Sequence, residues 1–201
     1  MKKWSVDTQL SEQDKRKKIK LYTSPKKNFD YQMISWDQYI RNEIDGYMVR
    51  SSIIPVTSIR GRTYWLLGSF HDYPREIVAD FGGNCFIKEG SAATETPFGC
   101  AIRELNEESK GLLTQVILKN IGLLDSKSFH IYLGKFRKQR VVFFFVPFVM
   151  GEVENIIKQF NEMPDIDEKL GPLDLYLEMD IFDQKYLTSN YLTDFVNFLK
   201  K

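Results

Sequence analysis

The chain has 201 residues, of which 43% are hydrophobic and 27% charged, and its formal net charge is +1. This length favours a single domain with a terminal extension, and this composition is typical of a soluble globular protein. The near-neutral charge excludes a polybasic nucleic-acid coat, or an acidic disordered chain, as an account of the whole molecule. The longest apolar run, residues 141–150, suits a buried strand and is too short for a membrane helix.

Two further features bear on the compartment of the protein. The N-terminus turns polar after Trp4, so it lacks the apolar region of a secretory signal peptide. Cys85 and Cys100 are the only cysteines, and they can form at most one bridge. We therefore expect both thiols to be reduced and the protein to be cytoplasmic, without a membrane partner.

Charge is unevenly distributed along the chain. Residues 1–30 contain nine Lys or Arg and four acidic residues, a net charge of +5, whereas the remainder carries −4. The basic run 15–20 either contacts phosphates or belongs to a solvated arm. We predict a basic, partly disordered N-terminal arm over residues 1–30 and one folded domain over residues 31–201.

The first predicted elements follow this arm. Ser35 and Gln38 have the spacing of a capping box, which predicts a short helix to about residue 43. Residues 47–59 are rich in β-branched side chains, and residues 63–70 read as the returning strand of a hairpin. A short strand over residues 77–81 runs into Gly82 and Gly83.

The second half alternates between helices and strands. Residues 96–110 are amphipathic at the helical period, with Pro97 at the first helical position and Gly111 where a helix should end. The remaining pattern predicts strands at 113–124, 129–135, 140–149 and 174–179 and helices at 152–162 and 187–200. These elements predict an α/β (α+β) protein with a mixed β-sheet between helices.

Three carboxylates fall on one face of the helix predicted at 96–110. Glu107 and Glu108 follow Glu104 by three and four positions, so the three side chains share one helix face within about 6 Å of one another. Their mutual repulsion and the helix dipole both disfavour this arrangement. A hard divalent cation, Mg²⁺ or Mn²⁺, would relieve both effects. The alternative is a solvated acidic helix face.

The surrounding residues resemble the Nudix box. Glu95-Thr96-Pro97 and the run Arg103-Glu104-Leu105-Asn106-Glu107-Glu108 match it in register, and Gly82-Gly83 resembles its opening glycines. The match departs from the box in two places. The loop before Glu95 is longer than in the compact box, with Glu89 where a glycine is expected, and the glycine after the glutamates is displaced by one position to Gly111.

The resemblance implies a Nudix-like α/β/α sandwich and a metal-dependent pyrophosphohydrolase that cleaves a diphosphate linkage in a nucleoside diphosphate derivative. It implies Mg²⁺ or Mn²⁺ as cofactor, with Glu104 and Glu108 as the main metal ligands. Glu107 would be a further ligand or the base that orients water. Arg103 would hold the glutamates by ion pairs, and Glu95 would support the loop through Arg103.

Substrate recognition is less defined by the sequence. Arg50, Arg62 and Lys88 lie in segments that flank the expected cleft and are candidates for binding substrate phosphates, although each is also an ordinary surface residue. Glu178 and Asp180 are either additional acids of the site or surface charges.

Two other functions fit the resemblance. One is mRNA decapping, in which capped RNA is the substrate, the basic arm guides RNA and aromatic rings near residues 64–73 stack on the base. The other is a non-catalytic Nudix-fold binding protein, which the retained glutamates disfavour. The oligomeric state is open, and a homodimer is one alternative.

Overall fold

A computed structural model describes residues 11–24, 29–41, 47–69, 77–85, 95–123, 129–164 and 171–201. The helices in these ranges are α1 (Glu12–Thr23), α2 (Trp36–Arg41), α3 (Pro97–Glu108), α4 (Leu112–Leu123), α5 (Met150–Glu162), α6 (Glu178–Phe182) and α7 (Asn190–Leu199). The strands are β1 (Asp30–Ile34), β2 (Tyr47–Ile59), β3 (Arg62–Ser69), β4 (Ile77–Ala79), β5 (Phe81–Asn84), β6 (His130–Phe136), β7 (Gln139–Pro147), β8 (Leu173–Leu177) and β9 (Leu187–Thr188). Within the described ranges, no helix is both long enough and apolar enough to cross a membrane.

The strands of the described ranges form one mixed sheet. Its main order is β1-β6-β7-β2-β3-β4-β9, with β5 paired to β2 and β8 paired to β3. The pairs β2–β7 and β4–β9 are parallel, and the other pairs are antiparallel. Strand β2 lies at the centre of the sheet. One of its edges pairs with β7, and its other edge pairs with β5 along the first half and with β3 along the second half.

Helices cover both faces of the sheet, and each face has its own core. Neighbouring residues of one strand enter different cores, as Ile53 and Ile54 of β2 do, because side chains alternate along a strand. The first core lies under α3, α4 and α5, and the second lies under α6 and α7. This architecture confirms the predicted α/β class with a mixed sheet between helices.

Several local predictions are confirmed. The Ser35 backbone N–H donates to Gln38 Oε1 at 2.8 Å, and the Gln38 N–H donates to Ser35 Oγ at 3.1 Å, which completes the capping box. The hairpin of β2 and β3 closes with Ile59 opposite Arg62. Its two turn residues, Arg60 and Gly61, both have positive φ, which suits the twist of a tight hairpin.

The strand predicted at 113–124 is wrong, because this segment forms α4. Leu113, Ile117 and Asn120 are buried, whereas Gln115 and Leu118 are exposed. Buried positions spaced by three and four residues match the helical period, and Leu113 and Ile117 pack into the first core. Contact with this core outweighs the strand preference of the β-branched residues.

The predicted N-terminal arm contains regular structure. Ser11 is the N-cap of helix α1, and its side chain accepts a hydrogen bond from the Asp14 N–H. The helix contacts α7 and β4. Phe29 is buried in the second core directly before β1. At the other end of the chain, residues 187–188 form β9, so the predicted C-terminal helix begins at Asn190.

Candidate active site

Helix α3 carries the residues of the predicted box, and its ends are defined locally. Thr96 is the N-cap, and its Oγ1 accepts a hydrogen bond from the Gly99 N–H at 3.0 Å, while Pro97 occupies the first turn. Beyond Ser109, Lys110 and Gly111 both have positive φ and reverse the chain into α4. Ala101 and Leu105 are buried in the first core, which fixes the orientation of the helix on the sheet.

Arg103 is the centre of the candidate site. Its Nε donates to Glu95 Oε1 at 2.8 Å, and its Nη1 donates to Glu104 Oε1 at 2.7 Å and to Glu107 Oε2 at 3.0 Å. Its Nη2 donates to the Asn84 carbonyl oxygen at 2.9 Å. These partners raise the pKa of Arg103, chiefly through the hydrogen bond to Glu95. One planar guanidinium therefore positions three carboxylates and the end of β5.

The remaining glutamate contacts the opening glycines directly. Glu108 Oε2 accepts a hydrogen bond from the Gly82 N–H at 2.9 Å. A Cβ atom at Gly83 would lie 2.2 Å from the Glu104 Cδ atom, so the carboxylate occupies space that any other residue would fill. Burial raises the pKa of both Glu104 and Glu108. Gly83 thus allows the Glu104 carboxylate to approach the strand backbone closely, and the Gly82 N–H holds the Glu108 carboxylate beside it.

Arg50 lies behind these glutamates on β2. Its Nη2 pairs with Asp80 Oδ2 at 2.9 Å, and its side chain is 14% exposed. Burial lowers the pKa of Arg50, but the charges of Asp80 and Glu108 raise it, and the net shift is upward. The guanidinium predicted to bind substrate phosphate is therefore engaged within the protein and lies within electrostatic reach of the glutamates.

The structure places the other predicted residues at separate locations. Arg62 is exposed at the hairpin, at the opposite end of β2 from Gly82. Lys88 lies outside the described residues. Glu178 accepts a hydrogen bond from Trp65 Nε1 at 3.0 Å, and Asp180 pairs with Lys185.

Two residues of the site were not singled out by the sequence. Asp80 is 1% exposed between β4 and β5, and it accepts a second hydrogen bond from Ser189 Oγ at 3.3 Å. A lone aspartate inside the apolar stretch 77–81 is the signal that could have indicated a buried ion pair. Asn84 contributes a backbone carbonyl, which no side-chain pattern could reveal.

The expectation of reduced thiols is wrong, because Cys85 and Cys100 form a disulfide with a Cα–Cα distance of 5.4 Å. Cys85 directly follows β5, and Cys100 lies in the first turn of α3. The bond joins the two elements that carry the site. The sequence could not reveal whether the two cysteines form a bond, because their distance depends on how α3 packs against the sheet.

The carboxylates suit a hard cation that arrives with its substrate. In the described ranges, no group of three or more His, Cys, Asp or Glu is arranged to hold a metal ion. Arg103 Nη1 instead engages both Glu104 and Glu107. Mg²⁺ is commonly held by one or two carboxylates together with water and substrate phosphate. Glu104, which lies over Gly83, and Glu108, which is bonded to the Gly82 N–H, provide the two carboxylates of such a donor set.

Comparisons with known proteins find only distant structural similarity. No protein-family model and no curated protein matches the chain. Shewanella oneidensis NrtR, solved with a 27mer DNA, is similar with a TM-score of 0.41 and 10% identity over 74% of this chain and 58% of that one. A C. elegans Ap4A hydrolase binary complex has a TM-score of 0.38 and 12% identity over 75% and 96% of the two chains. The chain thus spans less than two thirds of NrtR.

Proposed function

We propose that this protein is a metal-dependent, Nudix-type pyrophosphohydrolase that cleaves a diphosphate linkage in a nucleoside diphosphate derivative. The observation that carries the proposal is the set of contacts made by Arg103, which holds Glu95, Glu104 and Glu107 at once. These are the positions at which the chain resembles the Nudix box.

Glu104 and Glu108 are the proposed ligands of Mg²⁺ or Mn²⁺. When bound, the ion supplies Lewis acidity and neutralises phosphate charge. The Gly82 N–H orients the Glu108 carboxylate, and Arg103 orients that of Glu104. Because both are fixed by protein donors, little reorganisation is needed when substrate arrives.

Glu107 has a different environment and a different proposed role. Its side chain is 39% exposed, compared with 14% for Glu104 and 17% for Glu95. Its contact with Arg103 leaves it open to solvent on the same helix face. We assign Glu107 either as a further metal ligand or as the group that orients the attacking water.

Substrate phosphates need cationic partners beyond the metal. Lys88 remains a candidate for such a contact, whereas Arg62 lies at the hairpin, away from the glutamates. The ion pair with Asp80 makes Arg50 a support of the site in this proposal.

The test is a substrate screen with matched variants. Nucleoside diphosphate derivatives, dinucleoside polyphosphates and capped RNA are incubated with Mg²⁺ or Mn²⁺, and products are separated by chromatography. Glu108→Gln should lower turnover more than about 100-fold, beyond the usual effect of changing a residue that only supports a ligand. The control is Glu154→Gln on the exposed side of α5, which should retain full activity.

The same screen separates the alternative functions. Decapping is favoured by one observation, since α1 contacts α7 and exposes Arg16, Lys17 and Lys20 on the body of the protein. Release of the cap without turnover of free nucleotides would support that alternative. Absence of turnover for every compound, with retained nucleotide binding by both the wild type and Glu108→Gln, would support a non-catalytic binding protein.

A further inference from the structure

A cavity of about 440 Å³ lies at the hairpin end of the sheet. This volume falls within the range of small-molecule sites, which are largely apolar with a few convergent polar groups. Its walls include the rings of Trp65, Tyr132, Phe145 and Phe148 and the side chains of Glu178 and Leu199.

The cavity is separate from the candidate active site. The cavity meets β2 at Val56, which pairs with Trp65. The active site meets the same strand at Ser52, which pairs with Gly82. Four residues of extended strand correspond to about 13 Å. Trp65 and Phe145 also belong to the second core, on the face of the sheet opposite α3. The two sites therefore share no residue.

The rings form a connected aromatic wall. The Trp65 and Phe145 centroids are 5.1 Å apart in an edge-to-face arrangement, and those of Tyr132 and Phe145 are 5.5 Å apart in the same arrangement. Trp65 is fully buried, so it forms the base of the wall, while Tyr132 is half-buried. The face of an aromatic ring carries partial negative charge and attracts cations.

Charge gives the cavity a preferred ligand. Glu178 supplies the one carboxylate among the described residues that line it, where His130 is also present and lysine and arginine are absent. Glu178 Oε1 accepts the hydrogen bond from Trp65 Nε1, which holds the carboxylate against the aromatic wall. A carboxylate retains further acceptor sites after one such bond. The Glu178 carboxylate therefore disfavours phosphate and other anions beside it and favours a cation.

We propose that this cavity is a second ligand site that binds a flat heteroaromatic cation, with Tyr132 and Phe145 in its aromatic wall and Glu178 balancing its charge. The proposal goes beyond the hydrolase function, because it uses none of the residues around Arg103. A ligand at this site would be a separate molecule or a part of a partner molecule with this chemistry.

The test compares two probes of similar shape by isothermal titration calorimetry. N-methylquinolinium carries a permanent charge, whereas quinoline is neutral at alkaline pH. The wild type should bind the cation about tenfold more tightly than the neutral probe, consistent with a desolvated cation–aromatic contact and one carboxylate. Equal affinities, or no binding of either probe at millimolar concentration, would overturn the proposal.

Two variants locate the binding. Glu178→Gln keeps an acceptor for Trp65 but removes the charge, so the preference for the cation should disappear, while Asp180→Asn on the same helix should leave it unchanged. Leu199→Arg places positive charge at the end of α7, beside the cavity, and should weaken the cation at least tenfold without loss of the neutral probe. The Leu199→Arg variant tests the proposal even if Glu178→Gln alters folding. An unchanged preference in Leu199→Arg means that the probe binds elsewhere.

Discussion

The Glu104 carboxylate lies directly over Gly83, so closely that a Cβ atom at that position would be 2.2 Å from the carboxylate carbon. Strand β5 and helix α3 thus approach each other through a glycine and an acid that are distant in sequence. Because the carboxylate is also held by Arg103 Nη1 at 2.7 Å, it has little freedom to move away from an added methyl group. Several measurable consequences follow from this geometry and from the ion pairs around it.

Gly83→Ala should reduce both stability and activity. The new methyl group must displace the Glu104 carboxylate or separate β5 from α3, and such overpacking costs about 1–3 kcal/mol. Chemical denaturation measures the free energy of unfolding, and the substrate assay measures turnover. The control is Gly122→Ala, because a Cβ atom there meets no atom within 4 Å. Full activity in Gly83→Ala would contradict the assignment of Glu104 to the site.

Arg103→Lys should preserve the fold and lower kcat/KM by about 10–100-fold, the range typical for residues that orient metal ligands. Lysine keeps the charge but lacks the planar fork that contacts Glu95, Glu104 and Glu107 together. Steady-state kinetics at several Mg²⁺ concentrations measure the effect, which should include a weaker apparent metal affinity. Arg16→Lys on the exposed face of α1 serves as the matched control. An unchanged metal dependence would remove Arg103 from its positioning role.

Asp80→Asn should destabilise the protein by about 3–5 kcal/mol, because it leaves the nearly buried Arg50 charge without its carboxylate partner. Urea denaturation monitored by fluorescence measures this loss. The double variant Arg50→Met with Asp80→Leu should recover much of the stability, since apolar replacement of a buried pair is often tolerated. The exposed Asp183→Asn is the control. A loss below 1 kcal/mol in Asp80→Asn would show that the pair is unimportant for folding.

Thiol titration in denaturant without reductant should detect no free thiol, because Cys85 and Cys100 are bonded to each other. Removing the bond by the double variant Cys85→Ala with Cys100→Ala should cost about 3 kcal/mol, as expected for a closed loop of this length. Thermal unfolding of this variant and of the wild type, the latter with and without reductant, provides the measurement. Detection of two thiols in the untreated protein would contradict the pairing.

Local interactions explain which elements were predictable. The capping box of α2, the N-cap of α3 and the hairpin turn between β2 and β3 each depend on residues within four positions of one another. The segment 113–124 shows where this reasoning fails. Its β-branched residues favour a strand, yet their burial against the first core makes it helical.

The sequence by itself determined the helical face that carries Glu104, Glu107 and Glu108, since side chains three and four positions apart must lie together on a helix. Only the tertiary structure decided what these carboxylates meet. The Gly82–Glu108 contact joins residues 26 positions apart, and the Trp65–Glu178 contact joins residues 113 positions apart. Such contacts depend on how helices pack on a twisted sheet, which short-range propensity does not encode.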